Sequence, residues 1–366
     1  MMEIISGIWT YLFSFIVVLT VLVFVHELGH YLAARSCGIR VEIFSVGFGP
    51  EIFGFTDRVG TRWKFSLVPF GGYIKMFGEI EPEADTSNST LTEADAAVSF
   101  FNKSLRKRAW VILAGPLANF LFAIVVLAGL FTSIGLPHFP PEIAKVSLGS
   151  AAEQAGIKPY DLISKINSLK IETFEEIRDI VENSPNITLK IIIKRNGREK
   201  ILFATPKPVA VKKLGSTVIV GRLGIARGTE NVDYVRENPI VAIWKASLTT
   251  LNLTGKILYR IFSGRITKQD LGGPIRIAQL SGDMAQEGIA KFFQFVAILS
   301  INLGLINLFP IPLLDGGHLF FYVIEALRGK PVSQKVMGYS LNFGLALILS
   351  LTIFVTWNDL VQLKLF

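Results

Sequence analysis

The sequence predicts a polytopic α-helical membrane protein: four transmembrane helices, with an extracytoplasmic α/β domain inserted between the second and third. Three observations predict it. Only 18% of the 366 residues are charged and 51% are apolar, against about 25% charged in an average soluble domain. Four uncharged runs, Ile4 to Val25, Ala109 to Leu136, Phe292 to Leu314 and Val336 to Trp357, each exceed the ~18 residues that mark a spanning helix. Lys and Arg gather at alternate ends of those runs. Disordered, collagenous and ordinary soluble chains are excluded.

The first span covers about residues 4–30. Met1, Met2 and Glu3 lack the basic start of a secretory signal, and the apolar run outlasts a signal's ~7–15 residues, so it reads as an uncleaved helix. Cys37 is the sole cysteine, which excludes an intrachain disulfide. Arg35 and Arg40 follow the first span; Lys103, Arg106, Lys107 and Arg108 crowd the start of the second, about 109–136; Arg328, Lys330 and Lys335 separate the third, about 292–314, from the fourth, about 336–357. Positive charge marks cytoplasmic loops. Both termini and the segment 137–291 are therefore expected outside, with residues of about 31–108 and 315–335 inside. The net charge of +8 then reflects topology and a basic outer domain, not a nucleic-acid partner.

Within residues 38–105, Val41 to Gly49 and Trp63 to Met76 alternate β-branched and aromatic residues around glycines, as strands do. Glu79 to Asp95 is acidic, Ser/Thr-rich and without basic residues, which predicts a mobile cytoplasmic loop. Residues 137–230 read as a compact α/β module. Glu142 to Ser147 is a strand, and Ser150 to Gly156 a short helix closed by glycine. Thr173 to Asn183 is an amphipathic helix opened by Thr173 and Glu176 in a capping-box pattern. Two strands, Ile187 to Lys194 and Lys200 to Ala204, are joined by the hairpin signal Asn196-Gly197. This order resembles a PDZ domain of the bacterial protease type. Such a domain captures a peptide as an added strand, with Arg222-Leu-Gly-Ile225 as the candidate carboxylate loop; a steric role is equally open. Residues 231–291 are expected as amphipathic surface helices, because Pro239 to Phe262 is apolar yet carries Lys245, Lys256 and Arg260.

The chemistry-bearing motif is His26-Glu27-Leu-Gly-His30. Histidines at i and i+4 share one helix face and can share one zinc ion, with the glutamate beside them as general base. Catalytic zinc needs a third protein ligand and an open position. His138 falls on the outer side. Asp315 and His318, in Asn307-Leu-Phe-Pro-Ile-Pro-Leu-Leu-Asp-Gly-Gly-His318, end the third span on the inner side, at the depth that about 22 residues of helix reach from the other face. Spacing alone leaves either as the ligand. Pro310 and Pro312 interrupt regular helix just before them.

These motifs, with Gly115-Pro-Leu-Ala-Asn119 and Gly272-Gly-Pro-Ile-Arg-Ile-Ala278 in order between them, resemble the site-2 protease family of intramembrane zinc metalloproteases, the bacterial regulator-of-sigma-E type especially. The resemblance spans nearly the whole chain. It implies that Asp315 joins His26 and His30 on one catalytic zinc and that Glu27 is catalytic. It implies that Asn307, Pro310 and Pro312 accommodate substrate and that Asn119 lies near the active centre. It also makes the strands around Gly71 and Gly72 a membrane-reentrant β region that pairs with an unwound substrate. Expected partners are the bilayer of the bacterial inner membrane, single-span membrane proteins such as anti-sigma factors or signal-peptide remnants, and a peptide or protein at the PDZ-like domain. Well-known relatives carry two tandem PDZ modules where this chain has one.

Overall fold

A computed structural model describes residues 2–78, 92–213, 216–228, 233–264 and 272–362. Most of the acidic segment expected as a loop, residues 79–91, lies outside them. The chain begins with α1 (Met2–Ser36), β1 (Val41–Thr56), β2 (Arg62–Met76), α2 (Glu93–Val98) and α3 (Leu105–Ser133). It continues through β3 (Leu136–His138), β4 (Ile143–Val146), α4 (Ala151–Gln154), β5 (Leu162–Ile166), β6 (Leu169–Lys170), α5 (Phe174–Glu182), β7 (Leu189–Arg195) and β8 (Arg198–Ala204). Then come β9 (Lys207–Lys213), β10 (Ser216–Arg222), β11 (Ile225–Arg227) and β12 (Asp233–Val235). It closes with α6 (Pro239–Phe262), α7 (Pro274–Gln286), α8 (Ile289–Asn307), α9 (Asp315–Arg328) and α10 (Gln334–Gln362). Two compact units result: Met1–Leu130 with Pro239–Arg260 and Arg265–Phe366, and Phe131–Asn238 with Ile261–Gly264.

Among the described residues, four helical stretches are long and apolar enough to cross a membrane: Thr10–Ser36, Leu105–Ser133, Ile289–Asn307 and Lys335–Gln362. Their ends depart from the apolar runs for local reasons. The helix α1 runs on to Ser36, beyond the expected limit near residue 30, because His26 to Ser36 contains no proline and its one glycine, Gly29, packs against Ala114 and Ala118 of α3. At the other end of α3, Gly135 takes φ 106° and turns the chain into β3, which pairs with β12; the apolar run to Leu136 therefore overshoots the helix. The third run splits. Pro310 and Pro312 cannot donate helical hydrogen bonds, so α8 stops at Asn307 and α9 starts afresh at Asp315.

The strands β1 and β2 fold back on themselves. Residues 41–46 pair with 72–76 on one side and with 62–65 on the other, while 51–56 pair with 62–66. Phe44 anchors this ribbon to α1: it stacks on Trp63 with ring centroids 4.3 Å apart and meets Phe24 and Tyr31 edge-on. A core of Ala33, Ala34, Ile39, Val41, Met76, Phe100, Val111, Ile112 and Ala114 ties α1, the ribbon ends and α3 together. Its larger members contribute about 1.5–3 kcal/mol each on burial.

In the second unit, β6, β5, β7 and β8 form an antiparallel sheet in that order. Leu189, Ile191 and Ile193 alternate inward from β7 and meet Ile177 and Val181 of α5. The β7–β8 turn uses Asn196 and Gly197 at φ 51° and 75°, the left-handed pair a tight hairpin requires. At the start of α5, Thr173 Oγ1 accepts the N–H of Glu176, but the Glu176 carboxylate accepts from Glu172, one residue before the reciprocal capping-box partner. Arg222 to Ile225 links β10 to β11, with Leu223 in the core and the Gly224 carbonyl accepting from Ser147 N–H. The fully buried Asp161 holds Arg195 through two 2.7 Å bonds.

Candidate metal centre

One turn of α1 carries His26 and His30, both buried, with Nε2 atoms 3.3 Å apart. The first residue of α9 faces them: Asp315 Oδ2 lies 3.1 Å from His26 Nε2, and Oδ1 lies 3.5 Å from His30 Nε2. Ligands about 2.0–2.1 Å from a tetrahedral zinc ion stand about 3.3–3.4 Å from one another, so these spacings match. The hydrogen bonding agrees. His30 donates Nδ1–H to the Val111 carbonyl at 2.8 Å, which leaves its Nε2 a bare lone pair. The buried Asn119 sets its amide 3.0 Å from His26 Nδ1. Turned oxygen-first, that amide accepts Nδ1–H, frees the second Nε2, and gives a partner to an Oδ1 otherwise without one. Asp315 Oδ2 is buried and has no hydrogen-bond donor among the described residues. Three acceptors thus converge within reach of one metal cation, and His26, His30 and Asp315 suit zinc.

The helix α3 makes this arrangement possible. A Cβ on Gly115 would strike the His30 imidazole, so glycine there admits the ring. Gly316 and Gly317 likewise let α9 begin against the carbonyls of residues 308, 309 and 311, which brings Asp315 to α1.

A cavity of about 550 Å³ opens beside these three side chains. Glu27, Gly71, Gly72 and Asn307 line it, and so does His318. Of the two candidates that spacing left open, Asp315 is grouped with the two histidines and His318 is outside that group. Pro310 and Pro312 are not among the lining residues; they shape the seven-residue break between α8 and α9, where Leu313 takes φ 89°. His138 sits in β3 of the other unit. Sequence reasoning missed the Val111 carbonyl, since any residue supplies one. The i, i+4 spacing of Gly115 and Asn119 was a usable signal.

Known proteins resemble this chain over nearly its whole length. The model of Peptidase family M50 matches residues 14–351. A Rhizobium meliloti protein described as "Putative zinc metalloprotease R01501" is 43% identical over 95% of both chains. An Agrobacterium fabrum protein of like description is 40% identical over 96% of both. Metalloprotease MmpA of Caulobacter vibrioides is 34% identical over 95% of both. Among solved structures, the PDZ domain of an SdrC-like protein from Listeria monocytogenes matches 26% of this chain and 93% of its own at 19% identity, with a TM-score of 0.20, too slight a likeness to decide a fold.

Proposed function

The chain belongs to peptidase family M50, the site-2 protease family of zinc metalloproteases, and from that membership we propose that it is an intramembrane zinc metalloendopeptidase that cleaves single-span membrane proteins. The observation that carries this reading is the meeting of His26 and His30, on a helix of membrane-spanning length, with Asp315 at the start of the shorter α9, beside a cavity that Glu27 also lines. The three residues would hold one zinc ion, which when bound would supply Lewis-acid polarisation of the scissile carbonyl and of the attacking water. Glu27 takes the proton from that water and delivers it to the leaving amide nitrogen. Val111 and Asn119 fix the ring orientations, so both Nε2 lone pairs stay turned toward the ion's place.

A helical substrate hides its carbonyls in hydrogen bonds and must unwind to be cut. The segment at Gly71 and Gly72 offers it strand-like pairing at the cavity wall, and Asn307 hydrogen-bonds its released backbone. Pro310 and Pro312 hold the chain break that leaves space for the unwound segment. The enzyme sits in the bacterial inner membrane, with both termini and the PDZ-like domain outside and the metal near the cytoplasmic face, as the placement of basic residues supports. Substrates of the anti-sigma-factor class, trimmed first outside, or signal-peptide remnants fit regulated intramembrane proteolysis. The PDZ-like domain governs admission, by peptide capture or by steric exclusion. Glu27→Gln tests the chemistry: purified variant should retain zinc and lose cleavage of a single-span reporter, and undiminished cleavage rejects the mechanism.

A further inference from the structure

We infer that the Arg108–Glu325 ion pair is a positioning clamp that sets the Asp315 carboxylate against the two histidines. One face of α3, recurring at residues 108, 111, 115 and 119, serves the metal centre along its length. Val111 and Asn119 orient the histidine rings, and Gly115 admits one of them. At position 108 the same face reaches the helix that bears the carboxylate. Arg108 Nη1 and Nη2 donate to Glu325 Oε2 and Oε1 at 3.3 and 2.5 Å, and Nε donates to the Lys103 carbonyl at 3.3 Å. The guanidinium lies 5.4 Å from the Phe101 ring and 5.1 Å from that of Tyr322. The two charged side chains are only 9% and 15% exposed.

This pair acts at the far end of a lever. From Asp315 to Glu325 is ten residues of α9, or about 15 Å, and a tilt of about 4° over that length moves the carboxylate by about 1 Å. Misplacement on that scale costs on the order of 10²-fold in rate. Continuity with α8 does not set the direction of α9, because residues 308–314 are irregular. Leu319 and Tyr322 of α9 pack on the core beside Val111, Ile112 and Ala114, so the clamp and this packing together refer α9 to the helix that orients the histidines. A buried pair is a weak source of net stability, whereas its two-pronged geometry fixes direction. Arg108 and Glu325 are positioning residues, not catalytic ones.

The inference rests on the metal reading of the site, and cobalt substitution tests the two separately. Full-length wild-type protein, R108M/E325M and R108K would be compared for Co²⁺ affinity against a chelator, ligand-field absorption, kcat and KM, and thermal melting. The double variant removes both charges, so it should melt near wild type while its Co²⁺ affinity falls about 10–100-fold, its absorption shifts and kcat drops at unchanged KM. R108K keeps the charge without the fork and should fall between, and it decides on the same readouts if the double variant does not fold. Wild-type affinity and spectrum in the variants would overturn the clamp alone. Failure of the wild type to take up cobalt would overturn the metal reading and the clamp with it.

Discussion

Replacing Gly115 with alanine adds one methyl group where the structure has no room for it. The new Cβ would overlap the His30 ring at Nε2, Cε1 and Cδ2, although ordinary contacts lie near 3.5–4.0 Å, so the imidazole must retreat by about 1 Å. That shift stretches the 2.8 Å bond from His30 Nδ1–H to the Val111 carbonyl beyond useful length. Overpacking costs about 1–3 kcal/mol, and the lost hydrogen bond about 1 kcal/mol more. Alanine is itself favoured over glycine in a helix by about 0.8–1.0 kcal/mol, so a net loss cannot come from backbone propensity. Loss of ring orientation should weaken zinc binding about 10–100-fold. Zinc affinity by chelator competition, with thermal melting and reporter cleavage in detergent, reads all three effects. A Gly115→Ala protein with wild-type zinc affinity and turnover would refute the claim that close α1–α3 packing builds the centre.

Two further outcomes test elements outside the centre. Arg195→Met strands the fully buried Asp161 carboxylate and should cost the second unit about 3 kcal/mol; melting and limited proteolysis would show it, with zinc content unchanged. Burial alone would lift the Asp57 carboxyl, but donors from Trp63 Nε1 at 2.9 Å and the N–H groups of Thr61 and Val59 outweigh it and hold the group below the usual carboxylate range. A folded value below the unfolded one means stabilisation present above about pH 4 and lost as pH falls through the folded value. Asp57→Asn should therefore lower the melting temperature at pH 7 and lower it progressively less as pH falls below about 4; a loss that does not shrink on acidification would contradict it.

How much of this was legible in the sequence depends on how local each signal was. Uninterrupted apolar runs marked the four long helices, and the i, i+4 histidines placed two side chains on one turn of α1, because both patterns are properties of a single helix. Helix ends were less legible: Gly135 and the two prolines after α8 ended helices inside runs that hydropathy alone would continue. The strands around Gly71 and Gly72 were visible as segments, yet their pairing was not. Residues 62–65 bond on both sides, and alternation cannot say which partner lies where. The choice between Asp315 and His318 needed the start of α9. Arg108 and Glu325 stand 217 residues apart, and no pattern in either neighbourhood joins them.

Metal analysis of purified protein bears most directly on the central claim, that two imidazoles of α1 and the first carboxylate of α9 hold one zinc ion. The account predicts one zinc per wild-type chain, little in Asp315→Ala, and loss of reporter cleavage in step with the metal. Active wild-type protein without stoichiometric metal, or Asp315→Ala with full zinc and full turnover, would contradict it.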